Sequence, residues 1–169
     1  MEIKIRRLNS DDPAIIEDAF REQGWHKPAE LFERYLAEQE AGLRVTLVAE
    51  ADGAFAGYGS VIWQPDYPPF REQSIPEISD LNVLIRFRKQ GIASRLMDRA
   101  EQEIAERSSS AGIGVGLFAD YGQAQIMYVK RGYVPDGRGL YMGDRQLQYG
   151  DNITVDDDLV LYLTKKLSV

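Results

Sequence analysis

The sequence contains no cysteine and a single histidine among its 169 residues. Thiol nucleophiles, disulfide frameworks and Cys/His zinc sites are thereby excluded, because each needs side chains that are missing. A Ser-His-Asp triad would have to use His26, which lies in the turn-like Gly24-Trp25-His26-Lys27-Pro28, and no G-x-S-x-G segment supplies the serine. A solvated loop histidine is the plainer reading. No run approaches the ~18 consecutive apolar residues of a membrane span, and Met1-Glu2-Ile3-Lys4-Ile5-Arg6-Arg7 lacks the apolar stretch of a signal peptide. These absences predict a cytoplasmic protein with no membrane partner. Positive charge is in deficit as well: 20 Lys and Arg against 27 Asp and Glu leave −7. That balance argues against a nucleic-acid partner, while still allowing a local basic patch. Asp156-Asp157-Asp158 lacks the loop spacing of a calcium site and reads as a solvated turn, so no metal is expected.

What is present suits one domain over 1–169 of mixed α/β type, with an apolar fraction ordinary for a single core. Ile3 to Leu8 alternates as a strand, and Asn9-Ser10-Asp11-Asp12-Pro13 supplies helix caps with a proline at the first turn. Ile15, Ile16, Ala19 and Phe20 form a helical stripe. A second helix is predicted from Pro28 to about Ala41, with Gly42 as its left-handed stop. Leu43–Glu50 and Ala54–Trp63 flank Asp52-Gly53, a two-residue hairpin signal. From Gln64 to Pro76 four prolines exclude helix and central strand, which predicts a long exposed loop carrying aromatic side chains, of the kind that often lines a binding site. The pattern continues with a strand Glu77–Ile85, a helix Lys89–Arg107, a strand Gly112–Phe118 and a short helix Gln123–Arg131. Strands near Tyr133–Met142 and Asp158–Lys165 close the chain.

The segment richest in chemistry is Leu81-Asn82-Val83-Leu84-Ile85-Arg86-Phe87-Arg88-Lys89-Gln90-Gly91-Ile92-Ala93. A strand runs into a basic turn with a glycine and then opens a helix whose Ile92, Leu96, Ala100 and Ile104 lie on one face. Such a junction gathers unpaired N–H groups at the positive end of a helix dipole, an anion cradle to which Arg86, Arg88 and Lys89 add charge. A basic helix start with solvated side chains is the alternative. Gly112-Ile113-Gly114-Val115-Gly116 lacks the spacing of a dinucleotide fingerprint and opens no helix; its glycines let a ligand or helix pack close.

Arg88-Lys89-Gln90-Gly91-Ile92-Ala93 resembles the R/Q-x-x-G-x-G/A motif of the GNAT superfamily of N-acetyltransferases, with Ala93 in place of the commoner last glycine. Ala124-Gln125-Ile126-Met127-Tyr128-Val129-Lys130-Arg131-Gly132-Tyr133 resembles the second motif, A-x-x-x-Y-x-x-x-G-F/Y, although Tyr121 stands where an asparagine is often found. The likeness is close from about Arg44 to Tyr133 and extends to the element order of the whole chain. It implies a mixed, mostly antiparallel twisted sheet of about seven strands flanked by about four helices, with the fourth and fifth strands splayed to admit coenzyme A. Acetyl-coenzyme A is the implied cosubstrate. The implied contacts fall on the strand Leu81, Asn82 and Val83, on the turn Arg88, Lys89, Gln90, Gly91, Ile92, Ala93 and Ser94, and on Tyr121 and Ala124.

Acetyl transfer to an amine needs the amine neutral, donors for a tetrahedral oxyanion and a proton for the departing thiolate. Glu77, fourteen positions before Gly91, matches the place of the catalytic glutamate in the histone-acetyltransferase branch and is the leading base; a strand-end surface carboxylate is the alternative. Asp80, of opposite strand parity, or ordered water could take the same role. Tyr128 is the candidate acid, since a phenol of pKa about 10 keeps its proton at neutral pH; a buried aromatic on a short helix is the alternative. Trp63, Tyr67 and Phe70 are the candidate substrate-binding aromatics, with core packing or loop filling as the alternative for each. The expected acceptor is a primary amine of a small molecule. A protein or peptide acceptor, and a module that senses acyl-coenzyme A without turnover, are the alternatives; a homodimer is compatible with each.

Overall fold

The computed structural model describes residues 1–168. In chain order the first elements are β1 (Ile3–Arg7), α1 (Asp12–Glu22), α2 (Ala29–Glu40), β2 (Arg44–Ala51) and β3 (Ala54–Ile62). They are followed by α3 (Pro68–Glu72), β4 (Glu77–Val83), a 3-10 turn at Ile85–Phe87 and α4 (Ile92–Ala105). The chain continues with β5 (Ser110–Gly116), a 3-10 turn at Ala119–Tyr121 and α5 (Gly122–Lys130). It closes with β6 (Val134–Met142), β7 (Arg145–Gln146) and β8 (Leu159–Lys166). The architecture is mixed α/β and mostly antiparallel, as the resemblance implies. Among the described residues, the two-residue β7 and the short α3 lie beyond the expected seven strands and four helices.

Residues 1–63 and 78–103 make one compact unit, and residues 64–77 and 104–169 a second. In the first, the strands run in the order β1-β2-β3-β4. Asp52 and Gly53 take φ of 49° and 83°, the two positive values that a tight hairpin requires, and β2 pairs antiparallel with β3 across them. Gly57 of β3 lies so close to β4 that a Cβ there would stand 2.6 Å from the Asn82 carbonyl oxygen. The core of this unit gathers Ile16 and Phe20 of α1, Phe32 and Tyr35 of α2, and Val48, Phe55 and Tyr58 of the strands. The two helical stripes read from the sequence thus meet the hairpin's inner face.

In the second unit the order is β5-β8-β6-β7. A different core forms here: Tyr67, Phe70, Ile75 and Tyr141 are buried together, with Tyr162 against them. The expectation of an exposed, helix-free loop from Gln64 to Pro76 is corrected on both counts. Pro68 and Pro69 occupy the first turn of α3, where a backbone N–H is not needed, so they start a helix that they could not have interrupted. Tyr67 and Phe70 turn inward because β5 makes room for them. A Cβ on Gly112 would lie 2.3 Å from the Phe70 ring, one on Gly116 2.6 Å from the Tyr121 ring, and one on Gly114 3.0 Å from the Tyr162 ring. The alternate glycines of β5 therefore seat this protein's own aromatic rings.

Candidate active site

The basic turn is the best-defined feature of the first unit. β4 ends at Val83 and α4 begins at Ile92, later than the predicted Lys89, because Lys89 and Gly91 take φ of 61° and 83°. Neither value fits a helix, and the glycine supplies one of them without strain. The Arg95 N–H donates to Gly91 O at 3.1 Å. The N–H groups of Ile92 and Ala93 precede it and have no carbonyl one turn back. Arg88, Lys89, Gln90 and Gly91 are exposed, and a Cβ on Gly91 would meet nothing within 4 Å. The turn therefore has open space, aligned N–H groups and cations, which fits a pyrophosphate. Arg88 is the most tethered cation: its Nε donates to Val83 O at 3.2 Å and its guanidinium lies 5.6 Å from the Trp25 ring centre. Gln90 donates to Arg86 O at 3.4 Å. Ser94 is exposed on the first turn of α4.

Asp80 and Asn82 sit on β4 of the same unit, and their side chains are tied to each other. Asp80 Oδ2 accepts from Tyr35 Oη at 2.9 Å and Tyr58 Oη at 2.7 Å. Its Oδ1 accepts from Asn82 Nδ2 at 2.9 Å and from Lys27 Nζ at 3.5 Å. No local sequence pattern announces this cluster, whose members come from four separate elements and loops. Its one local trace is backbone conformation, since Asp80 has φ of 54°, a left-handed value that aspartate tolerates. Both Asp80 oxygens are thus engaged by donors, Lys27 at the longest distance. The Asp80 carboxylate acidifies neither phenol: burial first, then its charge, pushes Tyr35 up to about 12 and raises Tyr58 further. Leu81 and Val83 are half-buried, and Trp63, just past β3, is partly buried too. His26 is exposed on the connection between α1 and α2.

Glu77 opens β4 but belongs to the second unit. It is half-buried and, among the described residues, accepts no hydrogen bond and forms no ion pair. Burial, with the charge of Asp66 as the smaller cause, pushes its carboxyl up to about 7. Tyr128 is buried on α5, its ring centre 6.1 Å from that of Tyr133. Its hydroxyl has no hydrogen-bond partner among the described residues, and burial, then the neighbouring Tyr121, pushes it up to about 12. Tyr121 Oη donates to Asp157 at 3.2 Å, and burial and that carboxylate raise its pKa. Ala124 is half-buried at the start of α5, one residue before Gln125, whose amide ties the helix to Gly116 O at 2.9 Å.

Tyr67 and Phe70, expected to face the acceptor, are 2% and 1% exposed. Tyr67 stacks on Tyr162 at 3.6 Å between ring centres and donates to Asp136 at 2.5 Å. Phe70 meets Tyr67 edge-on at 4.7 Å. Their surface is spent on one another, which corrects the expectation that they offer free aromatic faces. Among the described residues no helix is long and apolar enough to cross a membrane.

The profile of the acetyltransferase (GNAT) family matches residues 12–133. No curated protein sequence matches the chain. Several solved structures share its fold. One is yncA from Salmonella typhimurium with its cofactor acetyl-CoA, with a TM-score of 0.70 and 17% identity over 98% of this chain and 94% of that one. Another is a spermidine N-acetyltransferase chimera from Vibrio cholerae and hSSAT, at 0.69 and 16% over 98% and 96%. A third is the ribosomal-protein-alanine N-acetyltransferase of Brucella melitensis, at 0.68 and 22% over 97% and 99%. At these identities the structural likeness speaks to the fold, while the profile match, which runs from α1 through the basic turn to Tyr133, carries the assignment: the chain belongs to the acetyltransferase (GNAT) family.

Proposed function

We propose that the chain is an acetyl-coenzyme A dependent N-acetyltransferase whose acceptor is a primary amine of a small molecule. The observation that carries this reading is the family match over residues 12–133, within which Glu77 is a half-buried carboxylate with no internal partner that burial pushes up to about 7. A base works best when its pKa lies near the operating pH, and a carboxyl at its ordinary value near 4 holds a proton too weakly for the task. Asp80 is committed to four donors, so Glu77 is the base in this reading. It draws the proton from the ammonium to leave a neutral nucleophile.

The coenzyme supplies an acyl thioester. Its pyrophosphate is assigned to the turn Arg88–Ala93 on the strength of the exposed cations and the open space over Gly91, with Ser94 completing the first turn of the helix. Backbone groups of Leu81, Asn82 and Val83 are assigned to its pantetheine arm, and Tyr121 and Ala124 to contacts from the second motif. Tyr128 Oη keeps its proton at every physiological pH. With the phenol at about 12 and a thiol near 8.5, complete transfer to a thiolate is uphill by about 5 kcal/mol. Tyr128 therefore acts by donating a hydrogen bond to the departing sulfur, with solvent completing the protonation. Both compact units contribute to the family match, which supports treating 1–169 as a single acetyltransferase domain.

The test is release of free thiol from acetyl-coenzyme A across a panel of amines and N-terminal peptides. Turnover confined to small amines supports the reading. Turnover confined to peptides would reassign the acceptor, and coenzyme binding without turnover on any amine would make the chain a sensor.

A further inference from the structure

We propose that Asp80, Tyr58 and Phe20 form a binding site for an alkylammonium group, and that Lys27 fills this site from within the chain. Lys27 Nζ lies 3.5 Å from Asp80 Oδ1, 5.6 Å from the ring centre of Tyr58 and 5.9 Å from that of Phe20. A carboxylate beside two aromatic faces is the arrangement that recognises an organic cation. Both rings are wholly buried and cannot turn away. Tyr58 is held edge-on by Phe20 at 5.9 Å and by Phe32 at 5.0 Å. The carboxylate is fixed too, with both phenols on Oδ2 and the Asn82 amide on Oδ1, so only a sector of Oδ1 is left for a cation.

Lys27 fills that sector loosely. Its 3.5 Å contact is long beside the roughly 2.7–2.9 Å of a well-formed charged hydrogen bond. It stands on the connection between α1 and α2, outside any helix or strand, and it also rims a surface cavity of about 370 Å³ with Trp25 and His26. Its withdrawal leaves Asp80 with three neutral donors and a full negative charge. A cation must then replace it, and a primary ammonium on a short methylene stem repeats the chemistry of the lysine that left.

This site holds the charged form of an amine, whereas the proposed transfer needs the neutral form. The two nitrogens are therefore different, and the acceptor becomes a diamine held by one end; this last step alone rests on the transfer reading.

The test is titration of n-butylammonium chloride into the full chain without coenzyme, at constant chloride, with n-butanol as the neutral control. Lys27→Met keeps the bulk of the stem and removes the charge. It is expected to bind n-butylammonium at least fivefold more tightly than the wild type and to leave n-butanol unbound. Adding Asp80→Asn, which tolerates the left-handed backbone, should abolish the gain. Equal affinities in wild type and Lys27→Met, or a gain that survives Asp80→Asn, would overturn the site. A measurement on the wild type needs no variant to fold: saturating n-butylammonium should shift the Lys27 side-chain resonances, and resonances that stay in place refute the proposal. Because the titration reads no turnover, a displaced Lys27 in a protein inert toward every amine rejects the transfer reading and keeps the site. Turnover with an undisplaced Lys27 does the reverse.

Discussion

Glu77 carries opposite consequences for stability and for rate. Burial pushes its carboxyl up from the ordinary carboxylate range to about 7, so the folded state holds this proton more tightly than the unfolded one. The cost of ionising it in place is absent below the unfolded value and accumulates as pH rises to about 7, reaching about 3 kcal/mol. Glu77→Gln, which cannot ionise, is therefore expected to be more stable than the wild type at pH 8 and little changed at pH 4, as thermal melts at the two pH values would report. For catalysis the sign reverses. The ionised form is the base, so kcat/KM of the wild type should fall as pH drops below about 7. In Glu77→Gln the rate should fall by about 10² or more and this acidic limb should vanish. A variant that loses the limb but not the rate would transfer the role to water. For Tyr128→Phe the expectation is a loss of about 10² in kcat with coenzyme affinity nearly intact, because the hydroxyl has no internal partner to strand and its contact matters mainly in the transition state. Wild-type turnover in steady-state assays would remove the role.

The turn before α4 and the glycine strand β5 act as elements. Gly91 has φ of 83° and open space around its missing Cβ. Gly91→Ala should therefore cost only the backbone strain, about 1 kcal/mol, whereas Gly91→Asp adds a charge beside the anion. Coenzyme affinity should fall more than tenfold in the second variant, or at least about 1.4 kcal/mol, and calorimetric titration of both variants separates charge from strain. Gly112→Ala belongs to a different mechanism. The new methyl would lie 2.3 Å from the ring of Phe70, which is 1% exposed and boxed in by Tyr67 and Tyr162. Overpacking of this kind costs about 1–3 kcal/mol, readable in a denaturant midpoint. These two glycines also mark how far the sequence could be read. The basic turn, the Asp52-Gly53 hairpin and the α4 stripe are local patterns, each written within a dozen residues, and all were legible. The burial of Tyr67 and Phe70 depends on Gly112, Tyr141 and Tyr162, all far along the chain from them. The Asp80 cluster likewise joins positions 27, 35, 58 and 82. Composition and periodicity carry no trace of such distant pairings, which is why aromatic side chains that fill a core read as a loop lining a pocket.

At the scale of the whole molecule, charge poses a question that the turn alone does not. The chain carries −7, and its proposed cosubstrate is a polyanion, so the overall field opposes association while Arg86, Arg88 and Lys89 favour it locally. Distance decides between them. At 0.1 M salt the Debye length is about 10 Å, so acidic residues spread over the surface are largely screened from a phosphate at the turn, whereas the adjacent cations are not. Further salt then has little repulsion left to remove and mainly weakens the local attraction. The coenzyme dissociation constant is expected to rise several-fold between about 0.1 M and 0.5 M salt, as titrations across that range would measure. The slope should flatten in Lys89→Ala, which removes an exposed cation and leaves the Arg88 contacts with Val83 and Trp25 in place. If affinity instead strengthens with salt, the net charge governs binding and the turn is not where the pyrophosphate sits.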